Sequence, residues 1–345
     1  MLLKILSGYS LIELTNELAD YPKFRAKQLF DAIIQGKDYI DTTLPKGMIE
    51  SLKAEYILKP LSIYKVLTSK DGTKKYLLKL HDDNLIECVF LTQDYGNTIC
   101  MSTQVGCRMG CRFCASTHNG LIRNLTAGEM LSTIAIVNAD NGKCNERNFT
   151  NIVLMGSGEP FDNFDNVVKW LDLITHESGF NVSERNISLS TCGLVDKIYK
   201  FAKLKYNITL CVSLHATTDD RRREIMPIAN RYTIAEIVSA LHDYVNTNSR
   251  RVVFEYCLIK GVNDSEEDIL RLRDITKNLL SHVNVICLNP NGGSLEATTR
   301  EEALDFVSRL NKIGVSATLR RSQGGDIEGA CGMLRAKTLK EGGEN

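Results

Sequence analysis

The chain has 345 residues, 43% of them apolar and 24% charged, and its 42 basic side chains balance 42 acidic ones. That length allows roughly two domains of about 150 residues, or one large α/β domain with an appendage, and zero net charge excludes a chain-wide field for polyanions. The opening run MLLKILSGYSLIEL is broken by Lys4, Ser7 and Glu13, too polar and short for a signal peptide; no later stretch would span a bilayer, so a cytoplasmic protein is expected.

In chain order, residues 10–60 read as helices, with Pro22 and Pro45 at helix starts. Residues 61–92 read as antiparallel strands, with turns at Lys70-Asp71-Gly72 and Asp82-Asp83-Asn84. From residue 97 the rhythm changes. The strand-like runs TICMST (98–103), NIVLMG (151–156), NISLST (186–191), ITLCVSL (208–214), VVFEYCLI (252–259), VNVICLN (283–289) and VSATLRR (315–321) alternate with amphipathic stretches. Such alternation predicts an α/β fold, a parallel sheet with crossover helices, and six or seven strands suit an incomplete barrel of (βα)6 type. The expected organisation is a helical region over 1–60, a β-hairpin extension over 61–95, a barrel over 96–322 and a carboxy-terminal segment over 323–345.

In folds of this kind ligands sit at the carboxyl ends of the strands. The residues just past those ends are small or polar: Gly156-Ser157-Gly158-Glu159-Pro160, Ser190-Thr191, Ser213-Leu214-His215 and Asn289-Pro290. Strand after strand delivers such groups to one rim, which predicts a ligand site there.

Eleven cysteines in a reducing compartment do not make a disulfide framework. Cys107, Cys111 and Cys114 form C-x3-C-x2-C. A structural zinc site commonly uses four ligands in two knuckles, and a redox C-x2-C pair leaves Cys107 unexplained. Three thiolates at this spacing suit a [4Fe–4S] cluster with one iron open to a further ligand. Lone strand cysteines are mostly core packing, and Cys88, Cys192, Cys211, Cys257 and Cys287 are read so; Cys144 lies in a polar loop, and Trp170 reads as core. Two basic features remain open between a solvated face and a polyanion-binding one: six lysines in 59–81 (59, 65, 70, 74, 75, 79), and the runs Arg221-Arg222-Arg223 and Arg320-Arg321.

The cysteine spacing after a first barrel strand resembles the radical S-adenosylmethionine (SAM) superfamily. The match extends along nearly the whole chain to the RlmN/Cfr family of RNA adenosine methyltransferases, through PKFRAKQLFDAI (22–33), CMSTQVGCRMGCRFCAST (100–117), MGSGEP (155–160), LSTCG (189–193), VSLHA (212–216), GVND (261–264), LNP (288–290) and DIEGACG (326–332). The resemblance implies that Cys107, Cys111 and Cys114 bind the cluster, and that Gly158, Glu159, Ser190, Ser213, Leu214, His215 and Asn289 hold SAM. It implies that Cys331 carries the methyl group, that Cys100 resolves the enzyme–RNA adduct through a disulfide with Cys331, and that Glu87 accepts the ring proton. Two SAM would be used per turnover.

The implied substrate is an adenosine of 23S rRNA near the peptidyl-transferase centre, methylated at C2, with tRNA as a second substrate in the RlmN branch. The helical region and the lysine-rich hairpin would dock the RNA, an electron donor such as flavodoxin or ferredoxin would be needed, and a monomer with no membrane contact is expected. Pro160 favours the C2-methylating branch over C8 methylation, whereas Arg321-Ser322-Gln323 resembles the Cfr branch. Ser157, Asn291-Gly292-Gly293 and Met333 depart from the usual family pattern. C8 or dual-specificity adenosine methylation, a radical SAM enzyme with another substrate, and an iron- or zinc-dependent RNA-binding module are the alternatives.

Overall fold

The computed structural model describes residues 3–143, 145–289 and 294–327, together with 334, 335 and 338. The chain opens with β1 (Lys4–Ile5), α1 (Leu11–Glu17), α2 (Phe24–Ile34) and α3 (Lys46–Glu55), and β2 (Tyr56–Ile57) returns to pair parallel with β1. β3 (Leu61–Thr68), β4 (Lys74–Leu80) and β5 (Leu85–Leu91) then form an antiparallel meander.

β6 (Thr98–Met101) begins the parallel region, and β7 (Gln104–Gly106) and β8 (Leu121–Asn124) make a small hairpin that sequence periodicity did not disclose. Helices and strands then alternate: α4 (Ala127–Asp140), β9 (Asn151–Leu154), α5 (Phe164–Thr175), β10 (Ile187–Thr191), α6 (Val195–Ala202) and β11 (Thr209–Ser213). α7 (Asp219–Ile225) and α8 (Ile234–Asn248) precede β12 (Val252–Leu258), followed by α9 (Glu266–Thr276), β13 (Ser281–Cys287), α10 (Arg300–Lys312) and β14 (Ala317–Leu319). Four of these helices begin with capping boxes visible as short motifs: Thr126 with Glu129, Thr233 with Glu236, Ser265 with Asp268 and Thr299 with Glu302. In each, two orphan backbone N–H groups find side-chain acceptors.

One ten-stranded sheet runs β14-β13-β12-β11-β10-β9-β6-β5-β4-β3. β6 and β9 to β14 are parallel, giving the six strand–helix–strand steps of a partial barrel, and the β3–β5 meander continues that sheet on its β6 edge. Residues directly opposed in neighbouring strands share a face. On one face the rows are apolar: Ile99, Ile152 and Ile187; Leu154, Leu189 and Leu210; Val212, Phe254, Val283 and Ala317. They join the helices in one core, where Tyr256 stacks on Phe306 of α10 at 5.9 Å and Trp170 of α5 is fully buried, as expected.

The other face mixes polar and sulfur-bearing side chains with valines. One row runs Lys75, Val89, Cys100, Val153 and Ser188 across five strands; further along are Ser190 with Cys211, Ser213 with Glu255 and Asn284, and Thr318 beyond them. Ser190, Ser213 and Glu255 of this face line a cavity at the carboxyl ends of the strands.

The lysine-rich hairpin is not a free basic surface. Lys75 is turned into the interior, Lys74 pairs with Asp140 (3.2 Å) and Lys79 with Asp83 (2.7 Å), leaving Lys65 and Lys70 exposed and Lys59 partly so. The arginine run is likewise engaged: Arg221 pairs with Asp268 (2.9 Å), Arg223 with Asp220 (2.5 Å), and Arg222 is buried.

The segment after β14 folds back onto the β3–β4 turn. Gly324 N–H donates to Asp71 Oδ2 (2.9 Å), Ser69 Oγ and Lys70 N–H donate to Asp326, and Gln323 Nε2 donates to the Thr92 carbonyl (3.1 Å). The Gly324 and Thr73 N–H groups hold Asp71 down at about 2, and Ser69 and Lys70 hold Asp326 below its usual range. A lowered carboxylate stabilises the docked form above its ordinary pKa, so this contact is complete above about pH 4. It should be lost as pH falls toward 2, and pepsin cleavage within 323–327 should rise over that window; the Asp71→Asn variant should already be cut faster at pH 4.

Candidate active site

The β7–β8 hairpin builds the cysteine loop. Gly106, at φ +81°, lets the chain turn where a Cβ would lie 2.0 Å from the Gly120 carbonyl oxygen, and Cys107 N–H donates to that same oxygen (3.0 Å). Arg108 forks onto Asp162, with Nε–Oδ2 at 2.9 Å, and Arg112 N–H donates to the Ile225 carbonyl (2.9 Å), pinning the loop from both sides.

The three thiols face a cavity of about 270 Å³ at the carboxyl ends of the parallel strands. Cys107, Cys111, Cys114, Gly158, Glu159, Ser190, Ser213, His215 and Asn289 all line it. Burial pushes the Cys107 thiol up to about 12 and the Cys111 and Cys114 thiols upward too, and Cys107 and Cys114 raise Cys111 further. Such a set needs a positive group to become three thiolates. Among the described residues no three His, Cys, Asp or Glu side chains converge tightly enough for one ion.

Opposite the thiols, MGSGEP lies on the β6–β7 backbone. Gly158 stands at φ +111°, where a Cβ would come within 2.7 Å of Gln104 N, and Glu159 N–H donates to Gln104 Oε1 (2.8 Å). Glu159 is buried, its carboxylate accepting from Phe161 N–H (3.0 Å) and Cys192 N–H (2.7 Å), and burial raises its pKa. Ser157, where the family pattern departs, meets Ser116 Oγ at 3.0 Å and donates its N–H to Ser102 Oγ (3.1 Å), so it ties this loop to the cysteine loop.

His215 adopts the left-handed region at φ +53°, uncommon for a non-glycine residue. Its Nδ1 accepts from Cys257 N–H (2.8 Å), Phe113 meets it edge-on at 4.5 Å, and burial, helped by Arg222, lowers its pKa to about 3. The ring is therefore neutral, with its proton on Nε2. Leu214 is buried behind the rim rather than lining it, and contributes backbone: its carbonyl accepts Arg222 Nε (3.2 Å).

Sequence reasoning missed three groups here. Arg222 reads as part of a surface run but straps two strand ends, its Nη2 donating to the Cys192 (2.6 Å) and Ser213 (3.2 Å) carbonyls. Glu255 and Arg320 stand in the cavity 3.8 Å apart, and Cys192, Cys257 and Cys287, read as core, line it too. The signal for Glu255 and Arg320 is parity: both follow the polar face of their strands.

Glu87 and Cys100 lie beside the cavity, not in its wall. Glu87 is 2% exposed and pairs with Lys75, itself 0% exposed, at 3.3 Å. Arg335 N–H donates to Glu87 Oε1 (2.7 Å). Cys100 is half-buried on β6. Cys331, Met333, Cys144 and residues 290–293 lie outside the described residues. The nine described cysteines are free thiols, so none of them is joined in a disulfide to another.

The Radical SAM superfamily model matches residues 101–273. A probable dual-specificity RNA methyltransferase RlmN from Clostridium botulinum (strain Eklund 17B / Type B) is 45% identical, with 98% of each chain covered. Its counterpart from Clostridium perfringens (strain 13 / Type A) is 47% identical over 93% of this chain and 92% of the other. The crystal structure of a radical SAM methyltransferase from Sphaerobacter thermophilus superposes with a TM-score of 0.89 at 40% identity, covering 95% of this chain and 98% of that one.

The chain belongs to the RlmN family of the radical SAM superfamily. Membership implies a [4Fe–4S] cluster and SAM as cofactors, and the residues fit both. Three thiols on one glycine-turned loop open onto the cavity, and Gly158, Glu159, Ser190 and Ser213 line it from the facing strand ends. No helix among the described residues is long and apolar enough to cross a membrane.

Proposed function

We propose that this RlmN-family chain methylates C2 of an adenosine in 23S rRNA and in tRNA, through a methyl group carried on Cys331. The observation that supports it most is the single sheet face shared by the cavity residues, Cys100 and Glu87. Arg335, four residues after Cys331 in sequence, reaches the Glu87 carboxylate from the carboxy-terminal segment.

C2 of adenine is electron-poor and cannot displace a methyl group from SAM, whereas a cysteine thiolate can. Cys107, Cys111 and Cys114 would hold the cluster, and Gly158, Glu159, Ser190, Ser213, His215 and Asn289, with Leu214 behind them, would frame SAM. When bound, cluster and SAM supply the one-electron chemistry that opens an inert S-methyl group to carbon–carbon bond formation. Glu87 then takes the ring proton. The Cys100 thiolate attacks the Cys331 sulfur, the carbon–sulfur bond breaks with its electron pair passing to the transferred carbon, that carbon takes up a proton to become the methyl group, and an external thiol reopens the disulfide. Two SAM are used per cycle, and the electron enters from a flavodoxin- or ferredoxin-type donor. Residues 1–60 would dock the RNA, with Phe24 exposed beneath the Arg25 guanidinium (4.6 Å) as a platform for an unstacked base.

Mass mapping of modified adenosines in rRNA and tRNA from cells with and without the gene tests this. 2-Methyladenosine should vanish from both RNAs; 8-methyladenosine lost instead, or no adenosine changed, rejects it. Gly158→Ala should weaken SAM binding at least about tenfold, read by equilibrium binding to reconstituted enzyme, because the added Cβ must displace Gln104 backbone.

A further inference from the structure

Lys75 has no place in the scheme above, yet it is the most completely buried cation on the face that carries it. The register places Lys75, Val89 and Cys100 in one row across β4, β5 and β6, with Glu87 two residues along β5 from Val89 and so on the same face. Lys75 therefore stands diagonal to Glu87, at 3.3 Å, and directly across Val89 from Cys100. A buried ammonium with a carboxylate on one side and a thiol on the other acts on both, because little water screens it.

We propose that Lys75 is a shared counter-charge, its field offset by Glu87 while Glu87 is a carboxylate and felt more strongly at Cys100 once Glu87 has taken a proton. This rests on the two-cysteine reading. The adenine C2 proton moves to Glu87 and removes its negative charge. The Lys75 field then favours the Cys100 thiolate, whose own proton leaves to solvent at the half-exposed rim. Proton uptake at one residue thereby readies the nucleophile at the other, and Cys100 stays protonated until the adduct is ready to be resolved. Lys75 touches neither RNA nor SAM in this scheme; it is a positioning residue.

The electrostatics around Cys100 agree with the register. Burial raises its pKa, Arg320 and Lys75 lower it, Glu87 raises it, and the Met155 backbone N–H donates to it. Cys88, on the opposite face of β5, is a further titratable neighbour of Cys100, and the Arg335 guanidinium and the Cys114 thiol both lie within the field of Glu87. Arg320, 38% exposed at its side chain, reaches from just past β14 to Met155 Sδ (3.8 Å) and is the stronger cation on Cys100, but its influence does not run through Glu87.

The test is the pH profile of iodoacetamide alkylation at Cys100 in the anaerobic holoenzyme without RNA, read by peptide mass. Removing one partner of a buried pair risks unfolding, so the informative comparison is Glu87→Gln against the doubly neutral Lys75→Met/Glu87→Gln protein, with equal melting temperatures as the folding control. Glu87→Gln should move the midpoint below that of the unmodified enzyme, and adding Lys75→Met should return it upward by about one pH unit. Arg320→Met should shift the midpoint equally whether residue 87 is Glu or Gln. Coincident profiles for Glu87→Gln and the double variant overturn the proposal. If Cys100→Ala still releases methylated RNA, the two-cysteine reading falls instead, and the alkylation profiles, read without turnover, still decide the coupling.

Discussion

Cys100→Ala enzyme should accumulate joined to its RNA. Cys100 faces the same side of the sheet as the cavity residues and is half-buried, so its thiol can reach the cavity margin without rearranging the core. In the proposed cycle nothing else breaks the bond between the Cys331 sulfur and the transferred carbon. Arg320 and Lys75, the cations that act on Cys100, cannot substitute as nucleophiles, since an ammonium or guanidinium has no free electron pair. Denaturing electrophoresis of anaerobic reactions should show a protein band shifted by RNA and removed by ribonuclease, with turnover stopping after one event per chain. Adding Cys331→Ala should abolish the band. Free methylated RNA at undiminished turnover from Cys100→Ala contradicts the scheme.

The second large effect is at the cluster loop. Cys111→Ala should reduce bound iron from about four atoms per chain to near zero after anaerobic reconstitution, and remove methylation with it. Within the loop Arg108 is committed to Asp162 and Ser116 already meets Ser157, and the further cavity thiols, Cys192, Cys257 and Cys287, sit on the strand-end side of the cavity and not on the loop. Iron and acid-labile sulfide analysis checks this directly. Retention of the full iron complement by Cys111→Ala would show that this cysteine is not a ligand, and one zinc per chain in the unmodified protein would favour the binding-module alternative.

The rim was readable in the sequence because its residues sit at strand ends, where a period-2 run stops and small or polar residues begin. Gly158, Glu159, Ser190, Ser213, His215 and Asn289 all come to the cavity, and each had a strand immediately upstream to place it. The cysteine loop was equally local. Pairings set by register were not readable. KKYLLKL looks like an exposed hairpin strand, but residues 75–78 are all buried because β4 is an interior strand of the sheet. That burial turns Lys75 from an RNA contact into a partner of Glu87. Arg222 escaped for a similar reason: its carbonyl partners lie on β11 and beyond β10, eight to thirty residues back along the chain. The β7–β8 hairpin is only three and four residues long, too short for any periodicity to register.

The two faces of the sheet have a consequence for how such a sequence can change over time. Along each parallel strand, one parity of positions faces helices and the other faces the reaction chamber. A saturation scan should therefore split strand by strand into two interleaved sets. Substitutions at Leu189, Val212 or Phe254 should cost soluble protein, while those at Ser190, Ser213 or Glu255 should leave a folded chain with altered chemistry. The inheritance of stability and the exploration of new reactions are carried by alternate letters of the same short words, so the chamber can be rewritten without disturbing the scaffold that encloses it.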